Sequence, residues 1–360
     1  MQQHIVAAMS GGVDSSVVAY LLPRGEGRVS GATMTLYRPT QSADNGTLTS
    51  LLPCGSDDDV RDAKAVCDRL GIPHKVYDCG EKFRHYVIED FVREYACGHT
   101  PNPCIVCNKY MKFGALLDAA LADGADKIAT GHYARIERDG AGRYLLRRAV
   151  DKSKDQTYVL WQLSQDVLSR VLLPLGDYRK ADIREIAKSA GLCTAHKSDS
   201  QDICFVPDGD YTAFLTRYTG QNSIGGDFVD EEGRVLGHHN GIEHYTIGQR
   251  KGLGLSLGHP IFVKSKDPVT RRVVLADNDR LFEREVHLDR INLIAADRLD
   301  APTRVEASIR YLHRPSPATV IQTSETTATV IFDEPQRAPA AGQSCVFYDG
   351  DTVIGGGIIC

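Results

Sequence analysis

No apolar run in the 360-residue sequence approaches the ~20 residues that a membrane span requires. The N-terminal stretch also lacks a basic segment followed by an apolar one and a cleavage site. The expectation is a cytoplasmic protein with no membrane partner. Positive charge is not in excess: 42 Lys and Arg stand against 47 Asp and Glu, a net charge of −5. Without global attraction to nucleic acid, any such binding must use local basic patches. The ten cysteines are too sparse and scattered for a disulfide scaffold. In a reducing compartment they are free thiols, metal ligands or catalysts. There is no internal repeat and no long disordered tract, although residues 38–50 read as a mobile surface loop.

What is present fits a soluble globular enzyme: 42% hydrophobic and 25% charged residues, on a chain long enough for two or three domains. The first two hundred residues alternate strands (5–9, 29–36, 75–77, 126–137) with helices (15–22, 57–70, 113–122, 180–190), and Gly71 and Gly191 serve as helix stops. That order predicts an α/β domain with a parallel sheet covered by helices. After about residue 205 the glycine-rich stretch resembles neither helix nor regular strand and reads as a small connecting domain. From about 283 strict alternation predicts an antiparallel barrel or sandwich, with Asp349-Gly350 as one of its turns. The expected division is 1–205, 206–282 and 283–360.

The stretch MSGGVDSSVV, residues 9–18, sits where the first strand gives way to a helix. Gly11 and Gly12 let the backbone approach an anion, while Ser10, Ser15 and Ser16 offer hydroxyls, so the segment builds a phosphate cradle. A glycine turn with a serine cap accounts for one or two residues of the seven in SGGVDSS, 10–16, but not for all of them. The Gly-Lys-Ser/Thr ending of the ordinary P-loop is missing, so γ-phosphate transfer is not indicated. SGGVDSS instead resembles the PP-loop of ATP pyrophosphatases, which cleave ATP between the α- and β-phosphates. That likeness implies an adenine nucleotide held by Ala8, Met9, Ser10, Gly11, Gly12, Val13, Asp14, Ser15 and Ser16, with Asp14 on Mg²⁺.

A second stretch, GHTPNPCIVCNKYMKFG at 98–114, has Asn102 as a helix cap and Pro103 at the first helical position. Cys104 and Cys107 then share a helix face near its N-terminus, with Lys109 and Lys112 close in sequence, which favours thiolate. Cys204 stands in the polar run SDSQDICFV. Structural zinc on these three with Cys97 or His99 is the blander reading. Cys54, Cys67, Cys79, Cys193, Cys345 and Cys360 read as ordinary core or surface thiols.

SGGVDSS, TPNPCIVCNKYMKFG, ATGHYAR, SKDQTYVLWQLS, SDSQDICFV, HYTIGQRKGLG and GGGII occur in the order found in the tRNA-specific 2-thiouridylases, and the sequence resembles that family over nearly its whole length. The resemblance implies a PP-loop (adenine nucleotide alpha hydrolase-like) domain, a small central domain and a C-terminal β-barrel. It also implies adenylation of a wobble uridine in tRNA by ATP, followed by sulfur replacement. By position Cys107 matches the persulfide-bearing nucleophile and Cys204 the second cysteine, which forms a Cys107–Cys204 disulfide or attacks the persulfide. A sulfur-relay protein or cysteine desulfurase is the implied donor. Cys104 departs from the aspartate common in the family, and with Cys107 and Cys204 it could hold a [4Fe–4S] cluster whose fourth iron binds hydrosulfide. Met34 and Gly131 match nucleotide contacts. Asn102, Pro103, Cys104, His132, Lys154, Asp155, Gln156, Arg310, Tyr311 and Gln343 match positions that meet the tRNA. Arg250 and Lys251, set among glycines in GQRKGLG, suit a loop closing on RNA. Two rival readings stay open: a small-molecule adenylating ligase of the PP-loop class, and a non-catalytic RNA-binding iron–sulfur protein. The first leaves the cysteine set unused, and the second leaves the nucleotide cradle unused.

Overall fold

The computed structural model describes residues 3–22, 27–36, 56–198, 203–206 and 208–360. The loop expected at 38–50 and Cys54 lie outside the described residues. The chain divides into two compact units, one of Met1–Ile88, Pro103–Gly209 and Asp351–Val353, the other of Glu89–Asn102, Asp210–Gly350 and Ile354–Cys360.

The first unit is built on β1 (Gln3–Ala8), β2 (Gly27–Thr35), β3 (His74–Asp78), β4 (Lys127–Ala129), an antiparallel hairpin of β5 (Ala134–Arg138) and β6 (Tyr144–Arg148), and the short β7 (Val171–Leu172). The sheet order β3-β2-β1-β4-β7 is parallel throughout. Its order reverses at β1, and ligands in such sheets sit beyond the strand ends at that point. Residues 126–137, expected as one strand, divide at Thr130–Tyr133 into the end of β4 and the start of β5. Helix α1 (Val13–Leu21) follows β1, and α2 (Asp57–Leu70) ends at Gly71 with φ 66°. Val17, Val18, Ala63, Val66, Ile183 and Ala187 pack with Ile5 and Ala7 into one core.

Gly176 shows how closely the hairpin is held. A Cβ there would come 2.0 Å from the Ala134 carbonyl oxygen. Gly176→Ala is therefore expected to destabilise the protein by about 3 kcal/mol. An unfolding midpoint equal to wild type would show that the contact is not limiting.

In the second unit the glycine-rich stretch 237–260 holds only the end of strand Val235–His239 and a single turn of 3₁₀ helix at Ile242–His244, in keeping with its irregular pattern, and regular elements flank it. Helix Tyr211–Thr219 is capped by Asp210, whose carboxylate accepts from the Ala213 N–H at 2.9 Å. Strands β8 (Gly226–Val229), β9 (Val235–His239), β10 (Phe262–Asp267) and β11 (Arg272–Ala276) form a sheet of order β10-β11-β8-β9 around Phe228, Val263 and Val273. Its strands are short and bulged, which blurs the two-residue alternation that marks a strand in sequence. Beyond it β12 (Phe282–Leu293), β13 (Thr303–Ser308), β14 (Ser316–Gln322), β15 (Ala328–Arg337), β16 (Ser344–Asp349) and β17 (Thr352–Ile359) run β12-β15-β14-β13-β16-β17. Pairing of β12 with β17 closes the barrel. Closure removes both sheet edges and leaves Val305, Val320, Val330, Phe332 and Phe347 inside. Among the described residues no helix is long and apolar enough to cross a membrane.

Candidate functional site

The glycine stretch leaves β1 at the sheet's reversal point. The Met9 N–H donates to the Ala32 carbonyl at 2.7 Å, and Gly11 turns the chain with φ 73°. A Cβ on Gly11 would lie 2.6 Å from the Cα of Asp59 at the start of α2, so only glycine fits the turn. Gly12 is the N-cap of α1 and has no side chain of its own to bond the first-turn N–H groups, the arrangement that suits an anion. The serines divide in role. Ser15 and Ser16 are buried, and their hydroxyls donate to the Gly12 carbonyl at 3.1 and 2.8 Å; Ser16 also accepts from Thr194 at 2.9 Å. Ser10 is the exposed one. Two of the three hydroxyls read as phosphate ligands thus brace the loop itself.

Two lysines missed by the sequence reading hold this loop. Lys180, at the start of helix Lys180–Ser189, places Nζ 2.8 Å from both carboxylate oxygens of Asp14. The Tyr133 hydroxyl donates to the same carboxylate at 2.9 Å. Lys197 donates to the Gly11 carbonyl at 3.0 Å and to Asp59 and Asp62 at 3.2 and 2.5 Å. Burial opposes the charge on Lys197, but the bonds to Asp62 and Asp59 outweigh it and raise its pKa. Gly131 brings the end of β4 against α1: a Cβ there would sit 3.0 Å from the Cβ of Asp14. Met34 is half-buried near the end of β2. Neither lysine carries a sequence signal of its own; Lys180 reads only as the first residue of an amphipathic helix.

The cysteine helix runs from Pro103 to Cys107, as the proline predicts, and then changes character. Asn108–Leu116 is π-helical before α-helix resumes at Leu117–Ala122, where a single helix from 113 was expected. Gly114 suits the wider turn, since a Cβ there would already be 3.0 Å from the Lys109 carbonyl. Single π turns often mark functional sites. Cys107 is 9% exposed, Cys104 is exposed and Cys204 is intermediate. Asn108 is buried; its Nδ2 donates to the Val159 carbonyl at 3.0 Å, and its Oδ1 finds no hydrogen-bond partner among the described residues. By contrast burial pushes the Cys67 thiol up to about 11 and raises that of Cys345, which fits inert core thiols.

The matched segment 154–156 closes the connection between the two sites. The Gln156 side-chain carbonyl accepts from the Tyr133 N–H at 2.9 Å, and the Gln156 N–H returns a bond to the Tyr133 carbonyl at 2.9 Å. Asp155 accepts from the Ala149 N–H and the Thr157 hydroxyl at 2.9 and 2.5 Å, while burial raises its pKa despite those bonds. A continuous run therefore links Asp14 through Tyr133 and Gln156 to the turn Thr157–Val159, and from Val159 to Asn108 beside Cys107.

Residues 3–208 match the family described as the tRNA methyl transferase HUP domain, residues 212–277 the tRNA methyl transferase PRC-barrel domain, and residues 283–359 the aminomethyltransferase beta-barrel domain. A tRNA-specific 2-thiouridylase MnmA of Clostridioides difficile (strain 630) is 47% identical over 360 residues, covering 100% of this chain and 98% of that protein. The chain belongs to the tRNA-specific 2-thiouridylase family. It is a sulfur-transferring enzyme built on a PP-loop domain. The protein of the same name from Lachnoclostridium phytofermentans (strain ATCC 700394 / DSM 18823 / ISDg) is 47% identical over 355 residues, covering 99% of each chain. A solved 4-thiouridine synthetase–RNA complex with bound ATP aligns at 17% identity and a TM-score of 0.38, over 60% of this chain and 50% of that one.

Other residues matched to the family stand in varied surroundings. His132 is buried rather than displayed, with Nδ1 2.8 Å from the Thr130 hydroxyl and Nε2 3.5 Å from the Lys112 ammonium. Burial first, and Lys112 second, hold its pKa well below the usual histidine value. A histidine that stays neutral when folded but titrates near ~6.5 when unfolded costs stability as pH falls through that value. Between pH 7.5 and 5.5 the protein is expected to lose about 1 kcal/mol through this residue. His132→Gln should flatten the slope of melting temperature against pH, and an unchanged slope would assign the loss elsewhere. Arg310 and Tyr311 are exposed in the turn that follows β13 rather than on the strand, and Arg310 donates to the Arg337 carbonyl at 3.2 Å. Gln343 donates from Nε2 to the Thr100 carbonyl at 2.7 Å. Lys154 is half-buried, as is Asn102, and Pro103 is buried. Arg250 lines an open cavity of about 440 Å³ with Leu253, Leu255 and His259. Among the described residues no three His, Cys, Asp or Glu side chains gather as a metal site. Cys104, Cys107 and Cys204 form no such group among the described residues.

Proposed function

We propose that the protein thiolates C2 of the wobble uridine of tRNA in two steps that use ATP. The uridine O2 attacks the α-phosphorus of ATP and pyrophosphate leaves. A terminal persulfide sulfur on Cys107 then attacks C2, and AMP departs with the former O2. The Cys204 thiolate next attacks Cys107 Sγ, so the transferred sulfur stays on C2 and a Cys107–Cys204 disulfide forms. A dithiol reductant restores both thiols, and a sulfur-relay protein or cysteine desulfurase reloads Cys107. The step needs a good leaving group and a thiolate-level nucleophile, which adenylation and a cysteine supply.

The observation that carries this reading is the bonded run from Asp14 to Asn108, which holds the anion-binding turn and the cysteine helix in one frame. Ser10, Gly11, Gly12 and Val13 would receive the phosphates with Ala8, Met9, Met34 and Gly131 about the adenosine; this is a proposal from the loop's uncapped N–H groups and its place at the sheet reversal. Mg²⁺ fits the donor chemistry, because Asp14 offers a partly exposed carboxylate, and the ion would neutralise phosphate charge when bound. Lys180 competes for that carboxylate or takes over the same task. The tRNA would meet Asn102, Pro103, Cys104, His132, Lys154, Asp155, Gln156, Arg310, Tyr311 and Gln343. Of these Cys104, Arg310 and Tyr311 are exposed, whereas His132 is buried and Asp155 and Gln156 bond neighbouring backbone, from where they would position the turn. Three domains, 1–205, 206–282 and 283–360, and a cytoplasmic setting complete the reading.

The test is pyrophosphate release from ATP. Stimulation by unmodified tRNA and not by amino acids supports it; no stimulation by any tRNA favours the small-molecule ligase. Iron and acid-labile sulfide measured on oxygen-free protein decide the sulfur route. Material without stoichiometric iron that thiolates with a persulfide donor fits Cys107, whereas one bound cluster per chain would replace that step and leave the overall reaction standing.

A further inference from the structure

Two tyrosines stand stacked on the surface next to the cysteine helix. Tyr86 belongs to the π-helical segment Arg84–Ile88, and Tyr110 to Asn108–Leu116. Their ring centroids are 4.8 Å apart with planes at 4°, and each residue is 39% exposed. The same segments supply the core with Val87 and Ile88 on one side and Met111 and Phe113 on the other, all 2% exposed or less. Packing is thus met without the tyrosines, and the backbone turns both rings outward.

The surroundings are cationic. Lys109 sets its ammonium 5.2 Å from the Tyr110 ring centroid, and His85 lies edge-on to Tyr86 at 4.8 Å. Within residues 81–86, Lys82 and Arg84 are exposed beside one carboxylate, Glu81. Tyr110 follows Cys107 by three residues on continuous helical backbone. Parallel exposed rings with flexible cations beside them match the needs of an unpaired nucleotide, whose base stacks while its phosphate pairs with the ammonium. A protein partner held by apolar contact would have no use for that cation set.

We propose that Tyr86 and Tyr110 form a stacking platform for an unpaired base that neighbours the one delivered to Cys107, with Lys109 and Arg84 on the adjoining phosphates. The platform rests on the tRNA-thiolation reading and adds to it a binding subsite for single-stranded RNA. Base stacking on aromatic side chains is sequence-tolerant, so the subsite holds the loop open without choosing among bases.

The experiment measures binding of fluorescent unmodified tRNA to the full-length chain and to Tyr86→Ala, Tyr110→Ala, Tyr110→Phe and Lys109→Ala. Each alanine at a tyrosine should weaken binding by about 5- to 150-fold, with ATP affinity and melting temperature unchanged. Phenylalanine should restore it, and Lys109→Ala should reduce the slope of log affinity against log salt by about 1. A 2-aminopurine placed beside the target uridine should be quenched by wild type and not by Tyr110→Ala. Wild-type RNA affinity in both alanine variants overturns the platform while leaving tRNA thiolation intact. Normal RNA affinity with thiolation lost only when a protein delivers the sulfur assigns the surface to a donor protein and overturns the proposal. Failure of wild type to bind any tRNA removes both this subsite and the parent reading.

Discussion

Cys107→Ser is expected to lower tRNA thiolation by roughly 10³-fold or more while tRNA-stimulated pyrophosphate release stays within about twofold of wild type. The serine is nearly isosteric at a site that is 9% exposed, so the helix Pro103–Cys107 should be undisturbed. What is lost is the atom proposed to carry sulfur. Thiolated product is counted on a mercury-affinity gel, and pyrophosphate by a coupled assay. Retained thiolation would remove Cys107 from its assigned role. Cys104→Ser separates the sulfur routes: as a proton carrier Cys104 contributes to rate alone, on the order of 10²-fold or more, whereas iron lost together with activity would point to a cluster.

Lys180→Met is expected to reduce pyrophosphate release about 10²-fold, the scale set by removing one preorganised donor from a developing charge. Methionine keeps the length of the side chain and its apolar stem. The substitution leaves Asp14, whose carboxylate receives Nζ at 2.8 Å on both oxygens, with Tyr133 as its remaining described partner in the loop. A purely structural role predicts a different pattern. In that case pyrophosphate release would fall only as far as the loss of folded protein requires, and it would return at temperatures well below the lowered melting point. A melting temperature near that of wild type with pyrophosphate release still reduced supports a direct electrostatic task; full release at low temperature would place Lys180 in the scaffold alone.

The bonded run between the loop and the cysteine helix changes how the matched segment 154–156 is understood. Gln156 reads from sequence as a residue facing RNA, yet its side-chain carbonyl and its own N–H both bond the Tyr133 backbone. A glutamine in a polar turn looks the same in sequence whether it faces solvent or closes a loop, because the partner is 23 residues away. His132 is a similar case. Its position after β4 was legible, whereas its burial against Phe113, with ring centroids 5.5 Å apart, depends on a helix formed elsewhere.

The local rules written along the chain determined much of this protein. Strand-then-helix alternation led to the parallel sheet, Gly11 and Gly12 to the anion-binding turn, Pro103 to the first residue of the cysteine helix, and two-residue alternation from 283 to the barrel strands. Each of these depends on dihedral preference or on the spacing of apolar residues within a few positions, which sequence records directly. Only tertiary structure decided that Lys180 and Lys197 meet residues 166 and 186 positions away at the loop, and that two serines brace it. The same holds for the two tyrosines of separate π-helical segments that stack. Such contacts come from the packing of distant elements, and a charge or a ring carries no mark in sequence of the partner that will satisfy it.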